Sequence, residues 1–170
     1  MTSVFTLRCT QRLLARMKVV PQAVAEPTTR LGDWYATLVH VGRLQFVLCV
    51  SERTLLPVLV PAAPISTLAP RFRVALGEVL RALGVSQEDI GNEDAEMANV
   101  VYGKTASRQV TGIMVDFAKA VEFYIDDTPS LLDVSLRLAE TPCSPLYETA
   151  VSPDSATIAL FTARPLRVVQ

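Results

Sequence analysis

The sequence holds a single histidine, His40, and three cysteines, Cys9, Cys49 and Cys143, which lie far apart. No two of these four residues have the spacing of zinc ligands, so the pattern gives no footing for a Cys/His metal centre and no metal or other cofactor is expected. An odd, scattered set of thiols builds no disulfide framework and suits a reducing compartment, so a cytoplasmic location is the expectation. Glycine is scarce, at seven residues in 170, and aromatic residues make up 6% of the chain. With 50% hydrophobic and 19% charged residues, collagen-like and disordered chains are both excluded. No apolar stretch approaches the roughly 20 residues of a membrane-spanning helix. The run from Leu55 to Pro64 is short and carries three prolines. A secretory apolar region is missing too, because Arg8, Arg12 and Arg16 interrupt it. Those arginines, with no acid before Glu26, have the look of a mitochondrial presequence. A strand followed by a basic helix accounts for them as well, and is preferred.

What is present is 170 residues of positive mean hydropathy, +0.32, enough for one domain with a true core. The expected organisation is a single α+β domain over residues 1–146 and a C-terminal extension over 147–170. A net charge of −1 conceals an asymmetry. Residues 1–84 carry ten bases and four acids, and residues 85–170 carry six bases and thirteen acids. Such a split fits a basic surface for an anionic partner, or two halves of one domain that complement each other.

The hydrophobic pattern supplies the elements. Val4–Arg8 reads as a strand, and Thr10 as the N-cap of a short helix with Leu13, Leu14 and Met17 on one face. Pro21–Thr29 reads as a surface connection. Trp34–Val41, the turn Gly42-Arg43, the return strand Leu44–Ser51 and a third strand over Thr54–Val60 form an antiparallel meander. Its nearly continuous apolar runs imply cover by helices, and Pro57 puts the third strand at an edge or a bulge. Leu68 to Leu83 follows a helical period that Gly84 stops. Ser86 and Asp89 form a capping-box pattern for a helix through Ile90, Met97 and Val101. A further helix carries Val110, Met114, Phe117 and Val121. Ser130 caps another with Val134 and Leu138 facing inward. Thr157–Phe161 reads as a last short strand. The predicted class is α+β: a small antiparallel sheet, made of the N-terminal strand and the meander, packed by about four helices.

Motifs for chemistry are sparse. Gly103-Lys104-Thr105 matches the end of a phosphate-binding loop, but Ala98 stands where that loop needs its first glycine. Lys104, Thr105, Ser107 and Arg108 still precede or open a helix, where an anion can be held. A capped helix start with solvated charges explains them equally. His40, on a strand near a hairpin turn, reads as a partly buried, structurally satisfied residue, and no serine lies in a nucleophile elbow. The carboxylates of Glu88-Asp89, Glu93-Asp94-Glu96 and Asp126-Asp127 read as solvated helix ends. Trp34 at a strand entry reads as a plug of the core edge. Exposed beside Asp33 and Arg30, it would instead suit a binding surface.

Four strings together resemble a family of bacterial proteins, domain of unknown function 6933. They are Arg8-Cys9-Thr10-Gln11-Arg12-Leu13-Leu14, Leu31-Gly32-Asp33-Trp34-Tyr35-Ala36, Ser51-Glu52-Arg53-Thr54-Leu55-Leu56, and Lys104-Thr105-Ala106-Ser107-Arg108-Gln109-Val110 with Gly112 and Met114. The resemblance runs from about Val4 to Leu146. It departs from the family at Val115-Asp116, where an Asn-Asp pair is usual. It implies a cytosolic bacterial protein and supplies no activity. It also singles out Thr10, Gln11, Asp33, Trp34, Lys104, Thr105, Ser107 and Arg108 as a shared ligand site, should three distant segments meet at one end of the domain.

Three functions follow as expectations. The leading one is a non-catalytic module that binds a protein partner or a small anionic ligand. The second is a small enzyme acting on a phosphate- or carboxylate-bearing substrate through Lys104, Thr105, Ser107 and Arg108. The third is nucleic-acid binding through Arg8, Arg12, Arg16, Arg71, Arg73 and Arg81, which the overall negative charge and few aromatics disfavour.

Overall fold

Alternation along the strands decides which side chains share a layer. In the computed structural model, which describes residues 3–148 and 150–163, the chain begins with β1 (Val4–Cys9) and α1 (Gln11–Met17). β2 (Trp34–Val41), β3 (Leu44–Ser51) and β4 (Pro57–Pro61) follow, then α2 (Leu68–Ala82), α3 (Gln87–Glu96) and β5 (Asn99–Lys104). The chain continues with α4 (Arg108–Tyr124), α5 (Leu131–Ala139) and α6 (Pro153–Thr162). The five strands form one sheet in the order β4-β3-β2-β1-β5.

The class is α+β, but the sheet is mixed rather than antiparallel. β2, β3 and β4 make the antiparallel meander, with Trp34 opposite Ser51 and Phe46 opposite Pro61. β1 runs parallel to β2 on one side and to β5 on the other. The cause is connectivity: α1 and the segment after it carry the chain back across the sheet before β2 begins, and such a crossover returns a strand in the same direction. β5 itself replaces the end of an expected helix. α3 stops at Glu96, and Val101 lies in the strand. The last expected strand, Thr157–Phe161, is likewise corrected: it belongs to α6, where Pro153 opens the helix and Thr157 and Phe161 point inward four residues apart. A five-residue apolar run fits either structure, and burial along one helical face decided it.

The sheet is covered on both faces, which explains its nearly continuous apolar strands. Phe5, Leu7, Trp34, Ala36, Val47, Cys49 and Val58 join α1 and α2 in one core cluster. Tyr35, Val39, Leu48, Val50 and Leu59 join α4 and α5 in the other. Phe161 of α6 also enters the first cluster. Pro57 does stand on an outer strand, where its missing donor is harmless. The serine caps are in place: Ser86, Ser107 and Ser130 accept from the backbone N–H of Asp89, Val110 and Asp133. Gly84 takes φ +86° after α2. His40, expected to be partly buried, is exposed, because it lies near the end of β2, beyond the last residue that β1 pairs.

Candidate functional site

β1 and β5 end side by side, with Cys9 opposite Lys104. From these ends the chain enters α1 through Thr10 and α4 through Thr105–Ser107. Parallel pairing therefore brings two of the three segments to one end of the sheet. β2 supplies the third. The Thr10 N–H donates to the Ala36 carbonyl at 3.1 Å, and the Thr10 hydroxyl lies 3.4 Å from that of Thr37. Thr10 holds the N-cap position of α1 without capping it.

Arg8 ties the group together. It pairs in register with Tyr35 on one side and Gly103 on the other. Its Nε donates to Asp33 Oδ2 at 3.0 Å and its Nη1 to the Lys104 carbonyl at 3.0 Å. Tyr35 completes the link, its phenolic oxygen accepting the Ser107 N–H at 3.1 Å. Arg8 thus joins Asp33 to Lys104 and Tyr35 holds Ser107, while Thr10 is held by Ala36 and Thr37; the sequence offered Arg8 only as a contact for nucleic acid and did not single out Tyr35. Gln11, Lys104 and Arg108 are exposed. Trp34 stands apart: it is fully buried and meets Phe72 edge-on, ring centroids 4.8 Å apart. Since neighbouring residues on a strand face opposite ways, Trp34 and Tyr35 enter different core clusters.

An open cleft of about 260 Å³ lies at this end, lined by Arg8, Lys104 and Thr105 together with the segment Pro21–Val24. That segment is held by the Gln22 N–H, which donates to the Tyr102 carbonyl at 2.8 Å. Gly103 permits its close approach, because a Cβ there would sit 2.7 Å from Val24 Cγ1. Gly103, read as part of a broken phosphate loop, therefore serves packing.

The chemistry available at the cleft is that of charge and hydrogen bonding. Burial pushes the Cys9 thiol up to about 12, so it offers no thiolate near neutral pH. Asp33 is buried, and its Oδ1 meets no hydrogen-bond partner among the described residues. No group of three or more His, Cys, Asp or Glu residues able to hold a metal occurs among the described residues, and no helix among them is long and apolar enough to cross a membrane.

The second and third strings meet beneath the site and fix Asp33. The Ser51 hydroxyl donates to the Leu31 carbonyl at 2.8 Å, and Arg53 Nη1 donates to the carbonyls of Thr29 and Arg30 at 3.2 and 3.0 Å. Gly32, at φ +78°, leaves room for the Arg53 stem. Glu93 is not a solvated helix end. It is buried, and its two oxygens accept the N–H groups of Arg30 and Leu31 at 2.8 and 3.0 Å. Burial raises its carboxyl above the ordinary value, against the opposing pull of those two amides. The arginines have varied duties. Arg71 donates to the carbonyls of Pro61 and Pro64, Arg73 pairs with Asp94, and Arg16 donates to Gln45.

No curated protein and no solved structure matches the chain. The family model described as Domain of unknown function (DUF6933) matches residues 6–156, a span that contains all four strings and every residue of the cleft, and the chain belongs to that family.

Proposed function

We propose that the domain is a non-catalytic binding module that takes a small anionic ligand at the carboxyl ends of β1 and β5. The observation that carries this reading is Arg8, which is fixed by Asp33 and the Lys104 carbonyl and lines the cleft beside Lys104 and Thr105. A guanidinium already oriented by two acceptors loses little freedom on binding. In open α/β sheets ligands bind at the carboxyl ends of the parallel strands, and β1 and β5 form a parallel pair of that kind. The cleft's volume, about 260 Å³, suits a phosphate- or carboxylate-bearing small molecule.

The test is an NMR titration with inorganic phosphate and, separately, acetate. The expected result is saturable shifts at Lys104, Thr105 and Ser107, weakened about fivefold by Lys104→Ala as an exposed charge contact is lost. Shifts that stay linear, spread over all basic side chains or ignore Lys104→Ala would overturn the reading.

The small-enzyme reading has one observation in its favour, the buried and unpartnered Asp33 Oδ1 next to Arg8. It requires turnover of a simple phosphate or carboxylate ester that Asp33→Asn abolishes while phosphate binding persists. Nucleic-acid binding draws less support, since Arg8, Arg71 and Arg73 already meet acceptors within the fold.

A further inference from the structure

β2 outruns its neighbour. β1 pairs with it only as far as Cys9 opposite Ala36, whereas β3 pairs with it through Val41 opposite Leu44. Backbone groups on a strand point alternately to its two sides, so each bond fixes the direction of its neighbours. The Asp33 carbonyl accepts from Glu52 on the β3 side, and the Ala36 carbonyl accepts from Thr10 on the β1 side. By this alternation the N–H and C=O groups of Leu38 and His40 point toward the place that β1 has left. Among the described residues, no hydrogen bond meets them.

The outer edges are treated differently. β4 carries Pro57 and Pro61 and gives its Leu59 N–H to the Ser135 hydroxyl, and β5 receives Gln22 at Tyr102. Prolines and covering segments of this kind keep strand edges from recruiting other chains. The Leu38–His40 edge has neither device. It forms the floor of an open groove of about 430 Å³ between the start of α1 and one side of α4.

We infer that this groove receives an extended, acidic peptide segment of another protein, which adds a short strand beside Leu38 and His40. The bare row of alternating donors and acceptors calls for an extended backbone. The α4 wall offers Val115, which is exposed, and Ala118 to the apolar side chains of such a strand. Charge selects the rest: Arg12 and Lys119 line the groove against the single acid Glu122. A second copy of the chain does not fit through the same edge, because in each copy that edge lies between α1 and α4 and two recessed edges cannot meet. The inference is independent of the anion site, whose cleft has a different lining.

The probe is a fluorescein-labelled hexapeptide of alternating valine and glutamate, read by anisotropy and by amide hydrogen exchange on the whole chain. Saturable binding is expected, with exchange at the Leu38 and His40 amides slowed about tenfold as they become bonded. Arg12→Glu should weaken binding about tenfold by turning attraction into repulsion. N-methylation of either the valine or the glutamate nitrogens should abolish it, while methylation of the other set spares it, since one edge of a strand faces β2. The proposal is overturned by lack of saturable binding, by unchanged exchange at those two amides, or by equal affinity for a valine–lysine peptide. It is also overturned if both methylated peptides bind alike.

Discussion

Two buried carboxylates do opposite work in this domain. Asp33 faces a fixed cation, Arg8, whose side chain is itself mostly covered, so each charge is compensated where water is scarce. Glu93 has amides instead of a cation as its hydrogen-bond partners, and it holds the turn Arg30-Leu31 by two N–H groups. Its carboxyl lies above the ordinary 4.5 because burial outweighs those bonds. The folded state therefore takes up a proton at a higher pH than the unfolded chain does. At neutral pH the ionised group costs stability. As pH falls through the raised value toward 4.5, that cost is relieved. Glu93→Gln removes the titration and also turns an amide NH₂ toward one of the two backbone donors, at about 1–3 kcal/mol for the group left unpaired. Urea unfolding of both chains should show the wild type gaining on Glu93→Gln as the pH is lowered. A constant difference, or one of the opposite sign, would mean that the two amides together with the Arg30 and Arg53 charges, and not burial, govern this carboxyl.

At the scale of elements, the covering of β5 depends on one close approach. Val24 presses on Gly103 with no room for a methyl group, and Gln22 holds the same segment to Tyr102. Gly103→Ala should destabilise by about 1–3 kcal/mol, as overpacking does, and should speed exchange of the Gln22 amide. Val24→Ala in the same chain should recover part of the loss, because the two positions touch. If Gly103→Ala is neutral and Gln22 stays protected, the segment does not bear on the sheet. Elements set by local signals were legible in the sequence. The hairpin around Gly42-Arg43 and the serine-capped helices α4 and α5 stand where period and turn chemistry put them. β5 was not legible, since Val100-Val101-Tyr102 follows a helix without a break in polarity that marks a strand. Its pairing with β1 spans almost a hundred residues, and no local pattern encodes such a distance. The site was legible only as separate strings. Arg8 and Tyr35 connect them, and strand alternation alone would have told that Trp34 and Tyr35 face apart.

At the scale of the molecule, one sheet separates two apolar layers, and loss of either exposes the other face of the same strands. That arrangement predicts a single cooperative transition. Trp34 is the only tryptophan, and it reports the first layer through its contact with Phe72. α6 reaches the same layer from the end of the chain. Phe161 is buried there beneath the Arg30 guanidinium, 5.0 Å from its ring centroid, and the Thr157 hydroxyl donates to that of Thr54 at 2.9 Å. α6 thus supplies core side chains and helps to hold the turn that carries Asp33. Phe161→Ala should cost about 3 kcal/mol, as for other large-to-small changes in a core. The Trp34 emission and the far-ultraviolet circular dichroism should still shift together along the urea axis, in the variant as in the wild type. A variant whose tryptophan signal is lost well before its helical signal would show that the layer under α6 opens alone, and that the two faces of the sheet are not one cooperative unit.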